Sequence, residues 1–176
     1  MATLHKAGCD ALGVADAIVA LHGAEGLITD MKLNKLVYFA YAEALRDGVR
    51  LFGDEIQAWR HGPVVPAVYQ EFKRWGRERI ASPSGKGLRT GLCDEAAALA
   101  WGRYGFMTAS DLRNFSHRPG GAWDAVRRDG RERITDADIR NSSDGIDDPG
   151  GFATLSSASR GIVSRWSEAF ERLADS

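Results

Sequence analysis

A run of eight residues with two prolines and one glycine limits most strictly how this chain folds. It occupies residues 59–66 and is Trp-Arg-His-Gly-Pro-Val-Val-Pro. Each proline fixes φ at about −65°, lacks a backbone donor and pushes the residue before it toward extended geometry. Gly62 is free to take φ values that other residues avoid. The run therefore predicts a rigid turn at Gly62-Pro63, followed by a helix with Pro66 in its first turn.

The segments around this turn have the periodicities of one strand and several helices. Residues 55–59 alternate polar and apolar side chains, which is typical of a short strand. Residues 33–44 repeat apolar side chains at helical spacing behind Thr29, a good N-cap, and predict the central helix. The predicted fold class is mainly α, a compact helical domain with a small β element between the second and third helices. Further helices are expected over 11–22, 65–75, 94–105, 108–115 and 135–139, and Trp123 and Val126 also have helical spacing.

Composition indicates a soluble globular protein and excludes several function classes. The chain has 176 residues, 44% of them hydrophobic, which is enough for one sizeable core. A net charge of −1 gives no overall field to attract nucleic acid or an acidic membrane surface. The N-terminus has no signal-peptide pattern, and no apolar run has membrane-spanning length. Cys9 and Cys93 are expected to be free thiols in a reducing cytoplasm.

The last fifth of the chain divides into a loop and a terminal helix. Residues 1–140 are predicted to form the folded domain, and the Asn, Ser, Asp, Gly and Pro content of 141–158 predicts a flexible loop. Residues 159–176 predict an amphipathic helix that either packs on the domain or offers its apolar face to a partner. That face comprises Ile162, Val163, Trp166, Ala169, Phe170 and Leu173.

The sequence contains no established catalytic or cofactor motif. The four histidines are scattered, no Cys-x-x-Cys pair is present, and residues 84–87 lack the spacing of a phosphate-binding loop. His61 and His117 are the one acid–base pair that we consider, as a hydrolase alternative. Two basic clusters, 73–79 and 127–133, each include acidic residues, and solvated helix ends account for them. We therefore expect no metal and no cofactor.

Two motifs, which follow one another along the chain, resemble those of the Panacea domain. This domain occurs in antitoxins of bacterial toxin–antitoxin systems and in phage-associated proteins. The first motif is a lysine-leucine helix with a tyrosine-phenylalanine pair, over residues 31–40. The second is Ala-Trp, a basic pair and Gly-Pro-Val, within residues 58–69, and a later His-x-x-x-x-x-Trp element follows. The resemblance covers about residues 12–140. The motif residues, interpreted as structural, are Lys35, Leu36, Tyr38, Phe39, Trp59, Gly62, Pro63, Val64, His117 and Trp123.

The resemblance implies an antitoxin without enzymatic activity that neutralises a cognate protein toxin by direct contact. It leaves open whether the protein sequesters the toxin or acts as an adaptor that delivers it to a cytoplasmic Clp-type protease. A homodimer is also left open. The alternatives are a DNA-binding regulator of its own operon and, less favoured, the small hydrolase. No membrane partner is expected, and nucleic acid is disfavoured by the net charge.

The rigid turn also indicates where a partner binds. It presents Arg60 and His61 at little ordering cost, and arginine is common at interface hot spots. With Lys73 and Arg74 at the end of the following helix, these residues predict one contact face. In the competing interpretation, Arg60 pairs internally with Glu43 or Glu55. The interface would then move to Trp166 and Phe170. Trp59 and Trp123 are expected to be largely buried.

Overall fold

A computed structural model of the protein describes residues 8–147 and residue 149. It confirms a mainly α fold with a small antiparallel sheet. The predicted C-terminal helix, with Trp166 and Phe170, lies outside the described residues. The elements follow one another as α1 Ala11–His22, α2 Asp30–Arg46, β1 Ile56–Trp59, β2 Gly62–Val64, α3 Pro66–Phe72, a 3₁₀ turn Lys73–Trp75, α4 Gly91–Tyr104, α5 Ala109–Ser116, α6 Ala122–Arg128, β3 Arg133–Ile134 and α7 Asp136–Arg140.

Helix α2 is the central element of the fold, as its long apolar pattern predicted. Of its 17 residues 13 are buried, and it contacts α1, α3, α4, α5, α7 and the hairpin. Thr29 is its N-cap, and the hydroxyl of Thr29 accepts a hydrogen bond from the Lys32 amide at 3.3 Å. A helix surrounded in this way has almost no solvent face, so its polar side chains must find partners inside the protein.

The hairpin turn lies two residues earlier than the sequence predicted. Strand β1 pairs antiparallel with β2 and β3, and Trp59 lies opposite Gly62. The two-residue turn is therefore Arg60-His61, and Gly62 and Pro63 belong to strand β2. The prediction placed the turn at Gly62-Pro63 because glycine and proline usually mark turns. Here Gly62 adopts a φ of +107° within a strand. Pro63 lies in an edge strand, where a missing backbone donor is tolerated.

Most helix boundaries follow the predicted caps. Thr108 and Thr135 both form capping boxes, with Asp111 and Asp138 at the N3 positions. The start of α4 was predicted wrongly: the helix begins at Gly91, with Thr90 as its N-cap. Asp94 lies inside its first turn, where negative charge is favourable, and pairs with Arg89 at 2.6 Å.

The expectation of two free thiols was wrong. Cys9 and Cys93 form a disulfide, with the Cα atoms 6.1 Å apart and both side chains buried. Cys9 precedes α1 and Cys93 lies in the first turn of α4, and these two helices pack extensively against each other. The separation of 84 residues concealed this proximity from the sequence analysis.

The described part of the predicted loop 141–158 is tied to the domain through one buried carboxylate. Asp144 is fully buried and lies 2.9 Å from the guanidinium of Arg118, which is itself 4% exposed. The Asp144 carboxylate also accepts hydrogen bonds from the Tyr38 hydroxyl and from the Ala122 amide, the latter at 3.0 Å. The composition of this segment gave no sign of such anchoring, because a buried aspartate in it looks like any other loop aspartate.

None of the helices within the described ranges combines the length and the apolar character needed to cross a membrane.

The Arg118–Asp144 pair makes the first prediction possible. We expect Asp144→Ala to lower the free energy of unfolding by about 3–5 kcal/mol, because it leaves a buried guanidinium without its main counter-charge. Asp94→Ala is the matched control, since it removes a partly exposed ion pair and is expected to cost about 0–1 kcal/mol. Urea unfolding of the two variants measures the difference. Equal losses in both would show that the buried pair is not a major stabilising contact.

Candidate partner-binding site

Two polar side chains of α2 form hydrogen bonds with the backbone of the hairpin. The Lys35 ammonium, 1% exposed, donates to the carbonyl of Pro63 at 2.9 Å. The Asn34 carboxamide accepts from the amide of Val65 at 3.3 Å and donates to the Asp30 carboxylate at 3.1 Å. Neighbouring side chains of one helix thus satisfy two backbone groups at the end of β2. The family motif residue Lys35 is therefore a support of the hairpin.

Burial controls the ionisation of this support. Removal from water lowers the pKa of Lys35 to about 7, an effect that nearby Asp30 opposes and Arg113 reinforces. Burial likewise raises the pKa of Asp30 to about 6, against the hydrogen bond from Asn34 and the charge of Lys35. The pKa values of both groups therefore lie much closer to neutral pH than the ordinary values of an aspartate and a lysine.

Gly62 is required by two features of its surroundings. Its φ of +107° is strained for any residue with a side chain. A Cβ atom at this position would also lie 2.6 Å from the Ser116 hydroxyl and 2.8 Å from the Cε atom of Lys35. The strand thus passes directly over the support and over the end of α5, which explains the glycine of the motif.

The two residues of the later motif element, His117 and Trp123, stack on each other beside the hairpin. Their ring centroids are 3.7 Å apart with planes 5° from parallel, and the Trp123 indole donates to the Trp59 carbonyl at 2.7 Å. Burial, together with the charges of Arg113 and Lys35, lowers the pKa of His117 to about 4. A neutral, stacked imidazole suits packing better than proton transfer near neutral pH, which weakens the hydrolase alternative.

The tryptophans at the hairpin are packed on one side and open to solvent on the other. Trp59 contacts the Tyr69 ring edge-on at 5.0 Å, and its indole donates to Gln57 at 2.7 Å. Trp59 and Trp123 are both intermediate in exposure, so they remain available in part to a partner. The surface around the hairpin is therefore aromatic as well as basic.

The structure places Arg60 and His61 together at the exposed hairpin tip. Arg60 makes no side-chain hydrogen bond or ion pair to any described residue. The internal pair with Glu43 or Glu55, which was the competing interpretation, is therefore not observed. Glu43 instead pairs with Arg103 at 3.1 Å, and Glu55 accepts from Gln57 at 3.2 Å.

Of the other two predicted contact residues, Lys73 extends this surface, whereas the guanidinium of Arg74 lies over the ring of Trp75 at 5.7 Å. Lys73 and Arg74 are exposed in the 3₁₀ turn after α3. Lys73 follows Tyr69 by one helical turn, and Tyr69 touches the tryptophan that precedes the hairpin tip. We call the surface formed by Arg60, His61, Trp59, Tyr69 and Lys73 the hairpin face.

Sequence reasoning missed one residue beside this face, Arg113 on α5. It is half-buried, and its Nε atom is buried without a hydrogen-bond partner. Its charge acts on both Lys35 and His117, so it lies close to the hairpin support. Nothing in the local sequence distinguishes it from a solvated helix arginine. Across the described ranges, no three His, Cys, Asp or Glu residues are grouped to hold a metal ion.

Gly62 provides a second prediction. We expect Gly62→Ala to reduce the free energy of unfolding by about 2–5 kcal/mol, combining left-handed backbone strain with overpacking. Gly85→Ala is the control: Gly85 also has positive φ, at +70°, but nothing lies within 4 Å of its added Cβ. The control should cost only about 1–2 kcal/mol. Denaturant unfolding checks both values, and a Gly62 variant no worse than the control would contradict the close packing.

Lys35 provides a third prediction, for pH. Its pKa of about 7 in the folded state lies below the ordinary 10.5, so between these values the unfolded state binds more protons. Stability therefore rises with pH in this window, and we expect a gain of about 2 kcal/mol between about pH 7 and pH 9.

Lys35→Met should remove this gain, whereas Lys86→Met should retain it, because Lys86 is an exposed lysine paired with Glu71. Urea unfolding of the three proteins at the two pH values gives the comparison. An unchanged pH slope in Lys35→Met would show that Lys35 is not the titrating group.

Comparison with known proteins identifies sequences that are similar to this chain. A family model described as "Antitoxin SocA-like, Panacea domain" matches residues 33–90, which contain most of α2, the hairpin and α3. Antitoxin SocA of Caulobacter vibrioides (strain NA1000 / CB15N) is 32% identical over 136 residues, covering 66% of this chain and 70% of that relative. No solved structure matches the chain. The chain therefore belongs to the SocA-like antitoxin family with a Panacea domain.

Proposed function

We propose that this protein is the antitoxin of a bacterial toxin–antitoxin system and neutralises a cognate protein toxin by binding it through the hairpin face. Family membership supports the antitoxin role. The observation that carries the choice of surface is the exposed arginine at the hairpin tip, which has no ion-pair or hydrogen-bond partner among the described residues. The proposal assigns the protein no enzymatic activity and no cofactor.

The hairpin tip is held in place before any partner arrives. On one side the Trp59 carbonyl accepts a hydrogen bond from the Trp123 indole at 2.7 Å. On the other side the Pro63 carbonyl accepts a hydrogen bond from the buried ammonium of Lys35 at 2.9 Å. Binding therefore orders only the side chains of Arg60 and His61, and this keeps the entropic cost low.

The charges of the hairpin face define the partner chemistry. Arg60 contributes a planar guanidinium with no partner in the described part of the chain, and Lys73 adds an exposed ammonium bonded only to the neutral Gln70. Carboxylates are the natural complement of such groups, particularly of arginine, which can bind them with two hydrogen bonds. The proposed toxin surface therefore carries acidic residues around an apolar patch that meets Trp59 and Tyr69.

The DNA-binding alternative receives little support from the second basic cluster. Arg128 pairs with Asp124 at 2.9 Å, and Arg131 pairs with Asp138 at 2.7 Å. These two of the four arginines in the cluster are already neutralised by the protein's own carboxylates and would release few counterions from DNA. A protein toxin is the better partner for this charge distribution.

We further propose that the protein acts in the cytoplasm, by sequestration or as an adaptor to a Clp-type protease. Both sulfurs of the Cys9–Cys93 disulfide are buried, which limits the access of the reductants of that compartment to the bond.

The fourth prediction tests the binding surface. We expect Arg60→Ala to weaken toxin binding at least about tenfold, or about 1.4 kcal/mol, without unfolding the protein. Arg89→Ala is the control, because Arg89 is exposed but pairs with Asp94 at the start of α4. Titration calorimetry against the toxic protein encoded beside this gene measures affinity, and circular dichroism checks folding.

Unchanged affinity in a folded Arg60→Ala protein would remove this arginine from the interface. Failure of the neighbouring gene product to be toxic, or of this protein to rescue cells from it on co-expression, would overturn the antitoxin role itself. The two outcomes are independent, so the surface and the function are tested separately.

A further inference from the structure

An apolar groove lies between α2 and α4, away from the hairpin support. It has a volume of about 180 Å³. Leu99 on its α4 side is 66% exposed, more than any other large apolar side chain in the described ranges. The acidic residues Asp47 and Glu95 also border the groove. Its apolar lining residues are Ala40, Ala44, Val49, Leu51, Leu92, Ala96, Leu99 and Ala100.

Ile146 and Asp147, which lie near the end of the described chain, are held beside this groove. Arg103, one helical turn after Leu99, donates through Nη2 to the carbonyls of Ile146 and Asp147 at 2.8 and 2.9 Å. The same guanidinium pairs with Glu43, which lines the groove. The chain therefore reaches Asp147 at one end of the groove.

The length and pattern of the remaining chain fit this groove. Residues 150–158 can span about 30 Å when extended, whereas α4 from Leu92 to Arg103 is only about 17 Å long. Residues 159–174 then repeat apolar side chains at helical spacing, with Trp166 near the centre of the stripe. Arg165 lies on the other face of this predicted helix, next to the edge of the stripe, where it would meet an acidic groove edge.

We propose that residues 159–174 of the same chain dock as a helix into the α2–α4 groove, with Trp166 and Phe170 covering Leu99. Docking buries two apolar surfaces that the domain and the segment would each otherwise expose to water. It also places Arg165 near Asp47 or Glu95. In the free protein these two aromatic residues are then part of an internal contact, and the hairpin face remains open for the toxin.

The fifth prediction tests this docking by hydrogen exchange on the full chain. We expect amides of residues 160–173 to be protected in the wild type and to exchange at least about tenfold faster in Leu99→Asp, because a carboxylate in the groove opposes burial of the apolar stripe. Leu27→Asp is the control, since Leu27 is 62% exposed but does not line the groove. It should keep the protection, and amides of α2 should stay protected in both variants.

Three results would overturn the proposal. The first is fast exchange of residues 160–173 in the wild type, and the second is equal protection in Leu99→Asp. The third is protection that increases with protein concentration, which would assign the groove to the segment of a second copy. Trp166→Asp covers the case in which Leu99→Asp unfolds: it should speed exchange of the segment and leave α2 protected, and unchanged exchange would count against docking.

Discussion

The hydrogen bond from the Lys35 ammonium to the Pro63 carbonyl is the contact on which the hairpin depends. Strand β2 lies at the edge of the sheet, so part of its backbone has no strand to pair with. Lys35 and Asn34 of α2 supply side-chain partners to Pro63 and Val65 instead. A buried helix thereby completes the hydrogen bonding of an edge strand, and Gly62 allows the approach because it has no side chain to obstruct it.

Helix α2 uses the same strategy along its entire length. Lys32 at its start donates to the Gly105 carbonyl at the end of α4, and Tyr41 donates to Asp136 at the start of α7. Arg46 at its end donates to carbonyls of the segment that contains Asp144. The apolar residues of α2 form the core, and its polar residues bind the loops around that core. Burying polar groups is costly unless each is paired, so these contacts specify one arrangement of the surrounding loops.

Local chemistry decided which parts of this structure could be predicted. Caps and periodicity located the helices, because both are local signals. Thr108 and Thr135 bond to residues three positions further along, and the apolar stripe of α2 repeats every three or four residues. Contacts between distant segments could not be predicted: Cys9 with Cys93, Arg118 with Asp144. The candidate site divides in the same way. Exposed Arg60 and His61 followed from a local turn, whereas the support by Lys35 and the proximity of Arg113 required the fold.

The separation between a fixed frame and a free tip has an evolutionary consequence. The residues that flank the tip are constrained by backbone bonds, stacking and close packing, whereas positions 60 and 61 project into solvent. Natural variation at these two positions can therefore accumulate without disturbing the core. A gene duplicate of this protein can change these two residues while its scaffold is inherited intact, which would give the proposed toxin-binding surface a short route to a new partner.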